Sequence, residues 1–292
     1  MRIGVNQFSF PQSYDVAEAI TAAKQLDFDS IELCFTAAPE AAGSAGGGVT
    51  DALDISAYVN RLLNVNSTQR DFHELRKLCD DAGIAVSSVG GIVSFSIYPL
   101  STRDAVIAQK GMDAVRKMMD AACILGGDTV QVMTGMLTED MGYQEGYDLA
   151  QQRIAQLADH NPQVKIGIEN VWNNMLYSPL ELNRFVDEMG RKNVGVYFDI
   201  ANARRFGYPQ QWIREMKHRI VKYHLKDYRM SVDNINGFTN MLDGDVNYPE
   251  VVKAIRETGY DGDLIVELVP PARHMVENTL AYARRTTLDL LK

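Results

Sequence analysis

The chain alternates short β-branched runs with longer segments of helical spacing, and it does so eight times. The runs are Ile3–Phe8, Ser30–Cys34, Ala85–Gly90, Thr129–Met133, Lys165–Glu169, Gly195–Asp199, Ile220–Leu225 and Asp263–Glu267. Between them apolar residues recur every three or four positions: Val16, Ile20, Ala23 and Leu26; Phe72, Leu75, Leu78 and Cys79; Met112, Val115, Met119 and Ala122; Leu182, Phe185, Val186 and Met189. That spacing keeps one face of a helix apolar. Gly83, Gly126, Gly190 and Gly259 stand where helices should stop before the next run, as expected of C-terminal caps. Strict β–α alternation implies parallel strands. Eight repeats imply closure of the sheet into an α/β (β/α)₈ barrel, the TIM barrel. An open doubly wound sheet would carry a glycine-rich phosphate loop after its first strand; Val5–Phe10 reads VNQFSF and has no glycine.

Size and charge agree with one barrel. The chain has 292 residues, 46% of them apolar, and one barrel domain over 1–292 is expected, since the fold takes about 250 residues. A net charge of −9 argues against a nucleic-acid partner, whose phosphates it would repel. No apolar run reaches the length of a membrane span, and MRIGVNQFSF does not read as a signal peptide, so a cytoplasmic location is expected. Three widely spaced cysteines, Cys34, Cys79 and Cys123, suggest neither a disulfide framework nor a metal knuckle but buried or semi-buried thiols. Met112, Met118 and Met119 read as helix core, and His73, His160, His218 and His274 as helix-surface residues. Two insertions follow strands, at 36–66 with its AAPEAAGSAGGG stretch and at 226–247. Both fall on the loops that build the catalytic face of a barrel; the first reads equally as a lid or as a tolerated insert.

The chemistry sits at the strand ends. Four consecutive runs finish in IGIEN, YFDIAN, KYHLKD and LIVELVPP, delivering Glu169, Asp199, His224 and Glu267. A single buried acid is usually an ion-paired structural group. Four metal-binding types on adjacent strands point to one divalent metal ion, because unpaired charges there would be costly. Three carboxylates and one imidazole suit Mn²⁺, with Co²⁺ or Mg²⁺ as alternatives. The absence of thiolate ligands disfavours structural zinc.

With IENVW, YFDIANARRFGYPQQWI, YHLKDY, GDVNYPEV and IVEL, the chain resembles the xylose-isomerase-like barrels over essentially its full length. It is most similar to ketose 3-epimerases, pentulose-phosphate 3-epimerases and inosose-handling relatives. The resemblance implies that Glu169, Asp199, His224 and Glu267 bind one metal and that Glu169 and Glu267 act as an acid/base pair. The reaction implied is proton abstraction beside a ketose carbonyl through a metal-stabilised cis-enediolate, on a small-molecule sugar or sugar phosphate. The related barrels also suggest a homo-oligomer. Two positions depart from the ketose 3-epimerases: Asn202 stands where DxxH would place histidine, and Met230 where an arginine often follows the strand-seven histidine. The run His224–Asp227 looks more like the phosphoketose and inosose enzymes.

Asn6, Glu32, Trp172, Asn202 and Lys226 are the further candidates for touching substrate: Asn6 as a hydroxyl ligand or a capping residue, Glu32 at the mouth or in a buried pair, Trp172 against a sugar face or in the core, and Lys226 on an anionic group or in solvent. Asn170 is the best of the three loop asparagines, with Asn173 and Asn174, for supporting a ligand. Two other functions stay open: a metal-dependent lyase or dehydratase acting on an oxo-sugar or inosose, and a non-catalytic sugar-binding barrel. A three-metal DNA-repair nuclease is disfavoured, since only His224 of the five histidines ends a strand.

Overall fold

The computed structural model describes residues 1–37, 60–269 and 272–292. The barrel strands are β1 (Arg2–Asn6), β2 (Ser30–Cys34), β3 (Ala85–Gly90), β4 (Thr129–Val132), β5 (Lys165–Glu169), β6 (Val194–Asp199), β7 (Ile220–Leu225) and β10 (Asp263–Val266); a small antiparallel ribbon, β8 (Asp227–Tyr228) and β9 (Phe238–Thr239), lies between the last two. Each barrel strand pairs in parallel with its neighbours, and β1 joins β10 to close the ring. The lid reading of 36–66 rests mainly on 38–59, outside the described residues, as do Pro270 and Pro271.

The outer ring holds α1 (Val16–Gln25), α2 (Gln69–Ala82), α3 (Ala105–Leu125), α4 (Tyr143–Ala158), α5 (Pro179–Met189), α6 (Ile200–Arg204), α7 (Pro209–Met216), α8 (Tyr248–Glu257) and α9 (Val276–Leu290). Local sequence sets their ends. Asp15 and Glu18 form a reciprocal capping box on α1, Asp104 caps α3 and Ser178 caps α5 ahead of Pro179; each cap satisfies backbone donors that the helix cannot. The four glycines expected to close helices all take positive φ, 61° to 80°. Met112, Met118 and Met119 are buried, and His73, His160, His218 and His274 are exposed, with His73 inside α2 and the other three just beyond helix ends.

Several details differ from the sequence reading: β4 stops at Val132, β6 begins at Val194 and β10 stops at Val266. The first strand stops at Asn6, whose side chain accepts from Phe8 N and turns Gln7–Ser9 into a 3₁₀ turn; a side-chain cap overrides the apolar run. Cys34 and Cys79 are buried, but Cys123 is exposed on α3. Among the described residues no helix is long and apolar enough to cross a membrane.

Strand alternation sorts the barrel wall. Val5, Leu33, Val132, Ile168, Phe198, Leu225 and Val266 join the hydrophobic core. The residues between them project inward, as hydrogen bonds across the barrel from Tyr197 to Glu32 and Ser88 require. The inward row is therefore polar at both ends of the barrel. At the base, Lys222 Nζ lies 2.9 Å from Asp263 Oδ2 and 3.0 Å from Asp128 Oδ1. Arg2 forms a fork on the same Asp263, 2.6 and 2.8 Å long.

Burial works against the Asp128 carboxylate, but Lys222, with hydrogen bonds from Lys165 and Thr129, outweighs it and brings the pKa down to about 2. A folded pKa below the unfolded one gives stability that is complete above about pH 4 and disappears as pH falls through about 2. The side chain is 51% exposed, so screening discounts the effect to about 1 kcal/mol. Asp128→Asn should therefore lower the urea-unfolding free energy by about that much at pH 7, with the deficit shrinking towards zero at the acid end. A deficit that stays constant with pH would assign it to packing instead.

Candidate metal centre

At the other end of the barrel, the ends of β5, β6, β7 and β10 bring four ligating side chains together. One ligand atom each from Glu169, Asp199, His224 and Glu267 lies within 4.8 Å of the others. Four neighbouring strands of a closed sheet all aim inward at the same level, so ligands far apart in sequence meet. Asp199 also accepts from Asn202 N at 2.8 Å, which caps α6 and fixes the carboxylate. Asn170 donates to Asp199 O and accepts from Asp199 N, at 2.9 and 2.7 Å, locking the end of β5 to the end of β6. Gln131 on β4 donates to Glu169 Oε2 at 2.7 Å.

His224 is oriented from below. Its Nε2 donates to Glu32 Oε1 at 2.9 Å, and its Nδ1 faces Glu169 Oε1 and Glu267 Oε2, each at 3.3 Å. Glu32 is also held by Ser88 at 2.6 Å, by Tyr197 and by Asn6. A carboxylate behind an imidazole fixes the tautomer and strengthens the ring as a metal ligand. Of the two roles expected of each, the structure shows the second: Asn6 caps the turn Gln7–Ser9, and Glu32 sits in a buried pair with His224. Both are buried and fall outside the cleft lining among the described residues. Asn6 reaches Glu267 Oε1 at 3.3 Å. Lys226 is buried as well, and its ammonium pairs with Asp199 and Glu267.

The electrostatics fit a cation. Four buried carboxylates face two cationic groups, and Lys226 already takes up a place between two of the ligands. Burial pushes Glu169 up to about 7 against the pull of His224, with Glu267 and Asp199 adding to the rise. Burial would lower the His224 pKa, but Glu267 and Glu32 carry it well above its ordinary value. Burial would also lower Lys226, and Asp199 and Glu267 raise it instead. The rises of His224 and Lys226 express excess negative charge, which a divalent ion would neutralise. Oxygen donors with one imidazole suit a hard or borderline ion.

A cleft opens above the cluster. Glu169, Glu267, Trp172, Asn202 and Lys226 line it, so three of the five further candidates reach it. Trp172 stacks on Phe238 at 4.9 Å, donates to Asn202 O at 3.2 Å and carries the Arg205 guanidinium 4.5 Å over its ring. The sequence reading missed Gln131, Ile92, Phe95, Ile235 and Phe238. Gln131 had a signal, a polar side chain within the apolar TVQV run. Ile92 and Phe95 lie on or beside a single π-helical turn, Val93–Ile97, after Gly91. Gly91 has φ 152°, and a Cβ there would meet Phe35 O at 2.2 Å.

Residues 20–285 match the family described as xylose isomerase-like TIM barrel. The chain belongs to that family. A D-tagatose 3-epimerase-like protein superposes with TM-score 0.76 and 19% identity, covering 100% of this chain and 98% of the other. The D-psicose 3-epimerase of Clostridium cellulolyticum H10 gives 0.76 and 14%, covering 100% of both chains. The IOLI protein, whose structure carries a zinc atom, gives 0.77 and 17%, covering 100% and 98%. By sequence, the uncharacterized protein MJ1311 of Methanocaldococcus jannaschii is 29% identical over 114 residues. That match spans 36% of this chain and 36% of the relative.

If Glu32 orients His224, Glu32→Gln should weaken divalent-metal binding about 10–100-fold, measured by calorimetric titration of the metal-stripped protein. Unchanged affinity in a folded variant would rule out that orienting role.

Proposed function

We propose that the chain, as one barrel domain, is a divalent-metal-dependent sugar epimerase or isomerase that moves a proton at the carbon beside a ketose carbonyl. The observation that carries this reading is a division among the four clustered residues. Asp199 and His224 are sealed from solvent at 0% exposure, whereas Glu169 and Glu267 keep 4% and 8% and line the cleft. Two cluster members are enclosed, and two carboxylates are left where a sugar can reach them.

Glu169, Asp199, His224 and Glu267 would hold the ion, with Mn²⁺ favoured over Co²⁺ or Mg²⁺. When bound, it supplies Lewis-acid polarisation of the substrate carbonyl and a counter-charge for the oxyanion. One glutamate takes the proton from the carbon beside the carbonyl, and the C–H electron pair moves into a carbon–carbon double bond as the carbonyl oxygen gains charge. This is an enediolate. The second glutamate returns a proton to the opposite face, the carbonyl re-forms and the carbon is inverted. Which glutamate removes the proton depends on the substrate's configuration. Gln131 and Lys226 keep the two carboxylates in position. Structural neighbours described as D-tagatose 3-epimerase-like and D-psicose 3-epimerase support the same class.

The test is solvent exchange. Mn²⁺-loaded protein incubated with ketoses, ketose phosphates and inososes in D₂O should take up deuterium beside the carbonyl and yield a new epimer by NMR. Chelation should stop both. Glu169→Gln and Glu267→Gln, with Mn²⁺ in excess, should each slow exchange at least about 10²-fold. Loss of water from the sugar would make the enzyme a dehydratase. No exchange on any probe would leave a sugar-binding barrel.

A further inference from the structure

Each of the four clustered side chains has one polar atom engaged by the protein around it. Asp199 Oδ1 accepts from Asn202 N at 2.8 Å, Glu169 Oε2 from Gln131 Nε2 at 2.7 Å and Glu267 Oε1 from Asn6 Nδ2 at 3.3 Å, while His224 Nε2 donates to Glu32. The second atom of each faces the other clustered groups. Glu169 Oε1 and Glu267 Oε2 both lie 3.3 Å from His224 Nδ1, and Asp199 Oδ2 is joined to Glu267 Oε2 through the Lys226 ammonium. Asp199 Oδ2, Glu169 Oε1, Glu267 Oε2 and His224 Nδ1 are thus the atoms that the cluster can offer to an ion.

Lys226 Nζ sits on two of those four atoms. A divalent ion that takes the same oxygens would stand within a few ångströms of the ammonium, and two cations that close repel strongly where water is scarce. One of them has to leave. The Lys226 backbone is fixed, because Tyr248 Oη donates to Lys226 O at 2.7 Å, but the four-carbon stem beyond it is flexible. The ammonium already lies 5.0 Å from the centre of the Phe238 ring, and Lys226 and Phe238 both line the cleft. Rotation of the stem therefore carries the charge towards an aromatic face that attracts a cation.

We infer that Lys226 is an internal competitor of the metal: its ammonium and a divalent ion exchange places on Asp199 Oδ2 and Glu267 Oε2, and the displaced ammonium turns into the cleft beside Phe238. This rests on the metal-dependent reading above. The contact that keeps the two carboxylates in position is then the same contact that the ion must break. Breaking it offsets part of the ion's binding, so the site holds its metal less tightly than its four ligands alone would. Loading the metal and delivering a positive charge to the cleft become one event, because the same side chain does both.

The experiment compares Mn²⁺ affinity in the metal-stripped full chain and in Lys226→Met, by calorimetric titration. Removing the competitor should tighten binding roughly 10–100-fold, the equivalent of one hydrogen bond between charged groups. A residue that only supports the carboxylates would give the opposite sign, since its loss would loosen two ligands. The unmutated protein supplies a second reading that does not depend on the variant folding. With ¹⁵N-labelled lysine, the Lys226 Nζ resonance should shift when Mg²⁺ is added to the level that calorimetry shows to be saturating. The resonance of Lys222, buried at the base of the barrel against Asp263, should stay where it is and serves as the internal reference. Unchanged or weaker Mn²⁺ affinity in folded Lys226→Met, or a Lys226 resonance unmoved at saturation, would overturn the exchange and leave the metal site standing. Absence of Mn²⁺ binding in both proteins would overturn the metal-dependent reading and the exchange with it.

Discussion

Closing eight alternating strands into a ring forces every second side chain into a space with little water. In this barrel many of those side chains are charged, so the fold stands only if the charges neutralise one another. His224 is the centre of that balance. It faces Glu32 through one ring nitrogen and Glu169 and Glu267 through the other. Taking away one partner of a buried pair leaves the other uncompensated, at a cost of about 3–5 kcal/mol. Arg2, Lys222 and Asp263 perform the same neutralisation at the base. What differs at the top is an incomplete balance: four carboxylates for two cations, with the deficit concentrated at the strand ends. The remaining negative charge fits the cluster to a metal ion better than to a closed salt-bridge network.

Structural and chemical duties are merged in the same groups. Asp199 caps α6 while its other oxygen meets Lys226, so the carboxylate is fixed by the backbone that follows it. The loops depend on a similar device. Asp227 accepts backbone hydrogen bonds from Tyr228, Leu242 and Val246 at 2.8, 3.1 and 3.0 Å. One buried carboxylate thereby organises the loop that carries Ile235 and Phe238 over the cleft. Gly244 sits so close that a Cβ would meet Asp227 Oδ1 at 2.3 Å. The chemistry is held by strand ends, whereas the surface that chooses among substrates is held by loops pinned to them.

The barrel and the four-residue cluster at its mouth were legible in the sequence because both obey strict periodicities. Alternation marks a strand, and the strand's last inward position marks the mouth, which is enough to pick out Glu169, Asp199, His224 and Glu267. Glu32 shows where such reading stops. SIELC places it on the inner face as clearly as KIGIE places Glu169, but depth along the barrel is set by the stagger between strands, which one strand does not encode. In the assembled barrel Glu32 meets His224 through Nε2, whereas Glu169 and Glu267 meet it through Nδ1. Lys226 was ambiguous for a related reason: its partners come from β6 and β10, remote in sequence. The cleft wall was least legible. Ile235 and Phe238 belong to no periodic segment, and their place follows from the Asp227 turn rather than from any local pattern.

The two ends of the cleft impose opposite physics on whatever enters. Near Glu169 and Glu267, low exposure strengthens every electrostatic contact, which in the proposed reaction would let a carboxylate act on a weakly acidic C–H bond. A few ångströms away, the same exclusion of water makes an unpartnered hydroxyl costly, and Phe95, Ile235 and Val269 offer no partner. In the proposed reaction catalysis and selectivity would share one cause: the aromatic and aliphatic loop side chains that line the cleft would both dry the carboxylates and meet the part of the substrate that does not react. A polar substitution on that wall would act on both, admitting water to the glutamates and trading proton-transfer rate for tolerance.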